Sequence, residues 1–240
     1  MSTFSDVLTE YINTKNIKVF PMAKYCGLDR STMYKLISGK RNPPPRDILK
    51  KMILFMPTWR GAHYPDGEAF RDTQFYQSCQ ALLNSPRLHK MLEQYGYTLV
   101  FYPHIEMQKH LAQFHTDSAR VCLADSTTHD VQQLLLDCAL LITDYSSVFF
   151  DVAYLEKPEL YYQFDEAEFR QYHYKQGYFD YRRDGFGPVC TTEDALLQAL
   201  ETALQNGMQM PPEYKARLAA FFPLRDTQNC ARTYEAICGL

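Results

Sequence analysis

The chain has no apolar run approaching the ~20 residues that a membrane-spanning helix requires. Its opening, MSTFSDVLTEYINTKN, also lacks the apolar centre of a secretion signal. A cytoplasmic protein is the expectation. Seven cysteines, Cys26, Cys79, Cys122, Cys138, Cys190, Cys230 and Cys238, form no C-x-x-C pair. Neither a zinc knuckle nor a disulfide framework is therefore indicated, and they read as buried thiols in a reducing compartment. His110 and His115 lack metal-ligand spacing. Asp144 and Asp151 invite a magnesium reading, but Asp144 before two serines serves as a turn and cap residue, and no metal or cofactor is expected.

What is present divides in two. At 240 residues, 46% of them hydrophobic, the chain can bury a sizeable core and hold two domains. The net charge of -3 hides an asymmetry: residues 1–50 carry nine Lys and Arg against four Asp and Glu, a balance of +5, which leaves -8 for the remainder. Two parts with different partners are implied.

The basic part, residues 1–50, reads as short helices with clear punctuation. Gly27 makes a turn, Asp29 is placed to cap the helix after it, Gly39 ends that helix, and Pro43, Pro44 and Pro45 forbid its continuation. Two short helices about a glycine turn outline a helix-turn-helix. Its second helix would present Arg30, Ser31, Thr32, Tyr34 and Lys35 to the major groove, with Lys40 and Arg41 toward phosphates. Ala23, Gly27-Leu28, STMYKLISGKR and the proline that follows resemble the lambda-repressor-like helix-turn-helix family. DNA is the partner this implies; a basic hairpin packed on the rest of the chain is the simpler alternative.

From residue 52 the period changes. MILFMP, YTLVFYP, ARVCLA, ALLITD and PELYYQ are short apolar runs separated by helical stretches such as FYQSCQALLNSPRLHKMLEQYG and DVQQLLLD. Buried strands alternating with helices predict an α/β, Rossmann-like parallel sheet covered on both faces over residues 52–240. Such sheets bind ligands at the carboxyl ends of their strands. That rule selects Thr58, Trp59 and Arg60, then His104, then Asp144 to Ser147.

Ser146 and Ser147 fall where a strand ends and a helix is expected to begin. Unpaired N–H groups and the positive helix end meet two hydroxyls there, a phosphate-sized site without glycines. Arg60, at the end of another strand, is placed to neutralise the same anion. Ordinary capping by one serine is the bland alternative. His104 suits proton transfer to a hydroxyl or a leaving phosphate, and a hydrogen-bonded surface histidine is the alternative to that.

ILFMPTWRG, LLLDCALLITDYSSVFFDVAYLEKPELYY, QGYFDYRRDGFGPV and PLRDTQNCARTYEAI, in that order, resemble the CDP-glycerol glycerophosphotransferases that build teichoic-acid and related capsular polymers. The resemblance implies the donor-binding C-terminal half of a GT-B fold. It places the donor pyrophosphate on Ser146 and Ser147, helped by Thr58, Arg60 and Asp144, and gives His104 a catalytic role. It further implies CDP-glycerol or a related CDP-alcohol as donor, a polyol-phosphate or glycan as acceptor, and work at the inner face of the plasma membrane. The family's other half supplies the acceptor cleft. Residues 1–50 stand in its place, so a partner chain or a homodimer is expected to complete the enzyme. A DNA-binding regulator with a nucleotide-sensing body is the rival reading.

Overall fold

The five apolar runs become five strands of one parallel sheet. They form β1 (Met52–Phe55), β2 (Thr98–Phe101), β3 (Val121–Leu123), β4 (Leu140–Thr143) and β5 (Glu159–Tyr162). A sixth strand, β6 (Val189–Cys190), was not foreseen, since two residues after GFGP carry no strand pattern. The order is β3-β2-β1-β4-β5-β6 and every neighbouring pair is parallel. In this computed structural model the described residues are 51–61, 64–173, 175–226 and 228–239, which belong to one compact unit. The expected helix-turn-helix, with Arg30, Ser31, Thr32, Tyr34, Lys35, Lys40 and Arg41, lies outside them.

Alternation along the strands feeds two cores. Ile53, Phe55, Leu99, Phe101, Leu140 and Ile142 face one side. There they meet α1 (Gln74–Leu83), α2 (Pro86–Tyr95) and α7 (Glu193–Gln205) through Cys79, Leu82, Leu88, Leu92, Leu196 and Leu200. Leu54, Val100, Leu141 and Tyr161 face the other, against α3 (Val131–Asp137), α4 (Phe149–Tyr154) and α8 (Pro212–Phe221). Burial on both faces is why these strands read as unbroken apolar runs rather than alternating ones.

Local chemistry sets the boundaries. The stretch read as one helical segment after residue 74 is two helices, because Pro86 has no N–H to extend α1 and instead opens α2. Gly96, at φ 71°, closes α2 in the left-handed conformation that glycine adopts without strain. Lys157 donates to the carbonyls of Leu135 and Leu136 at 2.9 and 2.6 Å, so its cation covers the negative end of α3. Gly187 lets the chain pass β5: a Cβ there would lie 1.9 Å from the Glu159 carbonyl oxygen.

Two short helices, α5 (Glu166–Tyr172) and α6 (Tyr181–Asp184), bracket the aromatic segment after β5. The last helix, α9 (Asn229–Cys238), buries none of its residues. The thiols are accordingly not all interior, as the sequence suggested. Cys79, Cys138 and Cys190 are buried, Cys122 is half-buried, and Cys230 and Cys238 are exposed on α9. Among the described residues no helix is long and apolar enough to cross a membrane.

Candidate functional site

With strand order 3-2-1-4-5-6, the chain's winding reverses between β1 and β4, and a crevice at their carboxyl ends is the expected ligand position. Thr58, Trp59 and Arg60 follow β1, His104 follows β2, Asp144 to Ser147 follow β4, and Gln163 and Asp165 follow β5. All reach that edge.

Arg60 is only 1% exposed, and its fork is filled. Nε donates to Asp165 Oδ2 at 2.6 Å, Nη2 to Asp144 Oδ2 at 2.6 Å and to Asp165 Oδ1 at 3.2 Å, and Nη1 to the Thr58 carbonyl at 2.7 Å. The rings of Phe75, Tyr145, Phe169 and Phe164 lie 4.9 to 5.6 Å from its guanidinium carbon. Burial works against its charge. The two carboxylates outweigh that and hold its pKa above the ordinary arginine value.

This changes the role read from the sequence. A guanidinium enclosed by two carboxylates belongs to a cluster of net negative charge and offers a ligand phosphate no unspent cation. Arg60 is a strut joining the ends of β1, β4 and β5. Asp144 is equally committed: Oδ1 accepts from the N–H groups of Thr58 and Tyr145, at 2.9 and 2.6 Å, and its carbonyl accepts from Gln163. Thr58 keeps a buried hydroxyl without a hydrogen-bond partner among the described residues.

The serines occupy the rim of this cluster. Ser146 is half-buried, with Oγ accepting a long 3.4 Å bond from Val148 N–H, and Ser147 is exposed. The helix beyond them is short: α4 has six residues and begins at Phe149, with Val148 at its cap and no side-chain cap. The dipole contribution anticipated at the serines shrinks accordingly, because little helix stands behind them.

Beside Ser147 opens a cavity of about 270 Å³ lined by Tyr145, Phe169, Arg170, Tyr178, Phe179 and Tyr181, among others. Part of the aromatic segment after β5 thus walls a hollow, while Tyr161 and Tyr162 are core. Asp180 caps α6 by accepting from Arg182 and Arg183 N–H, and Arg183 pairs with Asp184 at 2.6 Å. A larger hollow of about 580 Å³ lies by the amino ends of β1 and β2, at Lys51 and Thr98, and includes none of the strand-end residues.

His104 stands on the other flank. It is half-buried and precedes the 3-10 helix Ile105–Gln113, and its Nδ1 accepts from Glu106 N–H at 3.3 Å. That bond leaves Nε2 as the protonated nitrogen of the neutral ring. Trp59 stacks on His104 with centroids 6.4 Å apart and meets His173 edge-on at 5.3 Å. Sequence reasoning placed Trp59 at the strand end without a role, and it passed over Asp165, Arg170 and His173. The aromatic density of YYQFDEAEFRQYHYKQGYFDY marks the segment as able to stack a base, but it does not single out those three residues.

The model of the CDP-Glycerol:Poly(glycerophosphate) glycerophosphotransferase family matches residues 40–239. The chain belongs to that family. Lys40 and Arg41, read as DNA contacts, fall within the match. Relatives include the minor teichoic acid biosynthesis protein GgaB of Bacillus subtilis (strain 168), 33% identical over 202 residues, which are 80% of this chain and 22% of that protein. The teichoic acid glycerol-phosphate transferase of Staphylococcus aureus (strain NCTC 8325 / PS 47) is 26% identical over 78% of this chain and 45% of its own length. Among solved structures, the wall teichoic acid polymerase TagF superposes with a TM-score of 0.50 at 21% identity, covering 82% of this chain and 44% of that one. A variant of TagF soaked with CDPG superposes equally, at 22% identity over 84% and 43%. These likenesses establish the fold, and the chain spans less than half the length of each of these proteins.

Proposed function

We propose that this chain is the donor-side portion of a glycerophosphotransferase that uses CDP-glycerol, or a related CDP-alcohol, to build a teichoic-acid or capsular polymer. The observation that carries the proposal is the aromatic cavity opening beside Ser147 at the carboxyl edge of a Rossmann-ordered sheet, within residues matched by the family. In the reaction an acceptor hydroxyl of a polyol-phosphate or glycan attacks the β-phosphorus. The bond from that phosphorus to the bridging oxygen breaks, CMP departs with the bridging electron pair, and the hydroxyl proton passes to a base. Ser146 and Ser147 donate to the phosphates, while Arg60, Asp144 and Thr58 hold the strand ends that carry them. His104, with Nε2 protonated in the neutral form, suits donation to the transferring or leaving phosphate.

Calorimetric titration with CMP tests the site. Ser146→Ala with Ser147→Ala is expected to weaken CMP binding by about 1–3 kcal/mol, and unchanged affinity removes the serines from the phosphate site. In any assembly that turns over, His104→Ala is expected to slow CMP release roughly 10²- to 10⁴-fold with CMP affinity intact; retained turnover removes its catalytic role. By itself the chain is expected to bind donor yet transfer slowly. Orienting an acceptor supplies ~7–11 kcal/mol in such reactions, and in the family's two-half architecture that work falls to the other half. Cytoplasmic residence at the inner membrane face belongs to this reading. DNA binding through residues 1–50 is the rival function, and an anisotropy assay at low salt showing no affinity removes it.

A further inference from the structure

The cavity beside Ser147 contains a cation of a different kind from Arg60. Arg170, on α5, projects its guanidinium carbon to 5.5 Å from the Tyr145 ring centre and 5.8 Å from that of Phe169, the two rings being stacked at 3.8 Å. Its Nε is buried and has no hydrogen-bond partner, and no carboxylate among the described residues forms an ion pair with it. Buried donors without acceptors are rare in folded proteins, and a charged one is costlier than a neutral one. The remaining lining supplies rings and hydroxyls, from Ser147, Tyr178 and Tyr181, and includes no acid.

A hollow with one unspent planar fork, hydroxyl donors and several aromatic faces suits a ligand that joins an anion to a flat heterocycle. We propose that Arg170 is the phosphate-recognising residue of this cavity, taking a phosphate of a nucleotide donor together with the Ser147 hydroxyl while the base lies against the aromatic walls. The inference rests on the donor-side reading above and replaces Arg60 by Arg170 as the arginine that meets the ligand. No bond is made or broken by this residue; it binds and orients.

The test is titration of the full chain, wild type and Arg170→Gln, with CMP, cytidine and pyrophosphate, alongside thermal melts. Arg170→Gln is expected to lower CMP affinity roughly tenfold or more, the loss typical of a charge-assisted bond, while cytidine affinity and the melting temperature stay as in the wild type. Arg170→Lys, which keeps the charge but not the fork, is expected to fall between. Equal CMP affinity in wild type and Arg170→Gln overturns the assignment. A matching loss for cytidine also overturns it, since that marks a merely structural role. Pyrophosphate bound as tightly as CMP overturns the base-plus-phosphate occupant. If wild type binds neither CMP nor CDP-glycerol, the donor-side reading itself fails, and that outcome is distinct from failure of Arg170 alone.

Discussion

Two arginines stand about 5.5 Å from the same stacked pair, Tyr145 and Phe169, and they have opposite surroundings. Arg60 is enclosed, with two carboxylates and a carbonyl on its fork. Arg170 borders a cavity with a donor left over. The difference shows that a basic residue at a strand end becomes a ligand contact only if the protein has not already supplied its counter-ion. Position alone does not tell a strut from a clamp.

Removing the strut should have the largest effect. Arg60→Met leaves Asp144 and Asp165 buried side by side without compensation, and about 3–5 kcal/mol of stability is expected to be lost, read as a fall in the urea midpoint with an unchanged slope. A fall under ~1 kcal/mol would mean that the cluster is wetter than its burial implies. Arg60→Lys keeps the charge and loses the planar fork, so a smaller loss of about 1–3 kcal/mol is expected. Its folded fraction should bind CMP as the wild type does. If its affinity for CMP drops as far as that of Arg170→Gln, the distinction between the two arginines is wrong.

The smallest effect concerns a buried acid that forms no ion pair among the described residues. Glu159, on β5, is buried, and burial pushes its pKa well above the ordinary value, against the opposing hydrogen bond from Tyr161 at 2.8 Å. Because the folded pKa lies above the unfolded one, its contribution to stability is fully present below about pH 4.5 and declines as pH rises through the folded pKa. Glu159→Gln removes that titration, so its melting temperature should vary less with pH above 4.5 than the wild type's. Parallel curves would show that Glu159 does not govern the slope.

How much of this was legible follows from the range over which each signal acts. β1, β2, β4 and β5 announce themselves because burial on both faces demands a short, mostly apolar run, a purely local constraint. The strand-end rule then found Thr58, Arg60, His104, Asp144 and the serines, and all of them do reach one edge. The fate of Arg60 was not legible, since Asp165 lies 105 residues further along the chain and only folding brings it within 2.6 Å. Nor was the cavity: its walls come from short helices and loops between residues 145 and 181 whose tyrosines and phenylalanines look alike whether they line a hollow or fill a core.

The uneven burial of the cysteines has a practical consequence. Burial raises the pKa of Cys79 well above the usual thiol value and pushes Cys138 and Cys190 up to about 11, so these three are neither ionised nor reachable in the native fold. Cys230 and Cys238 stand in solvent on α9. Among these five thiols, alkylation by a small iodoacetyl reagent will therefore be fast at α9 and slow at the three buried sites, the slow phase being paced by opening of the fold. Mass spectrometry of the labelled peptides would time that opening without any introduced probe.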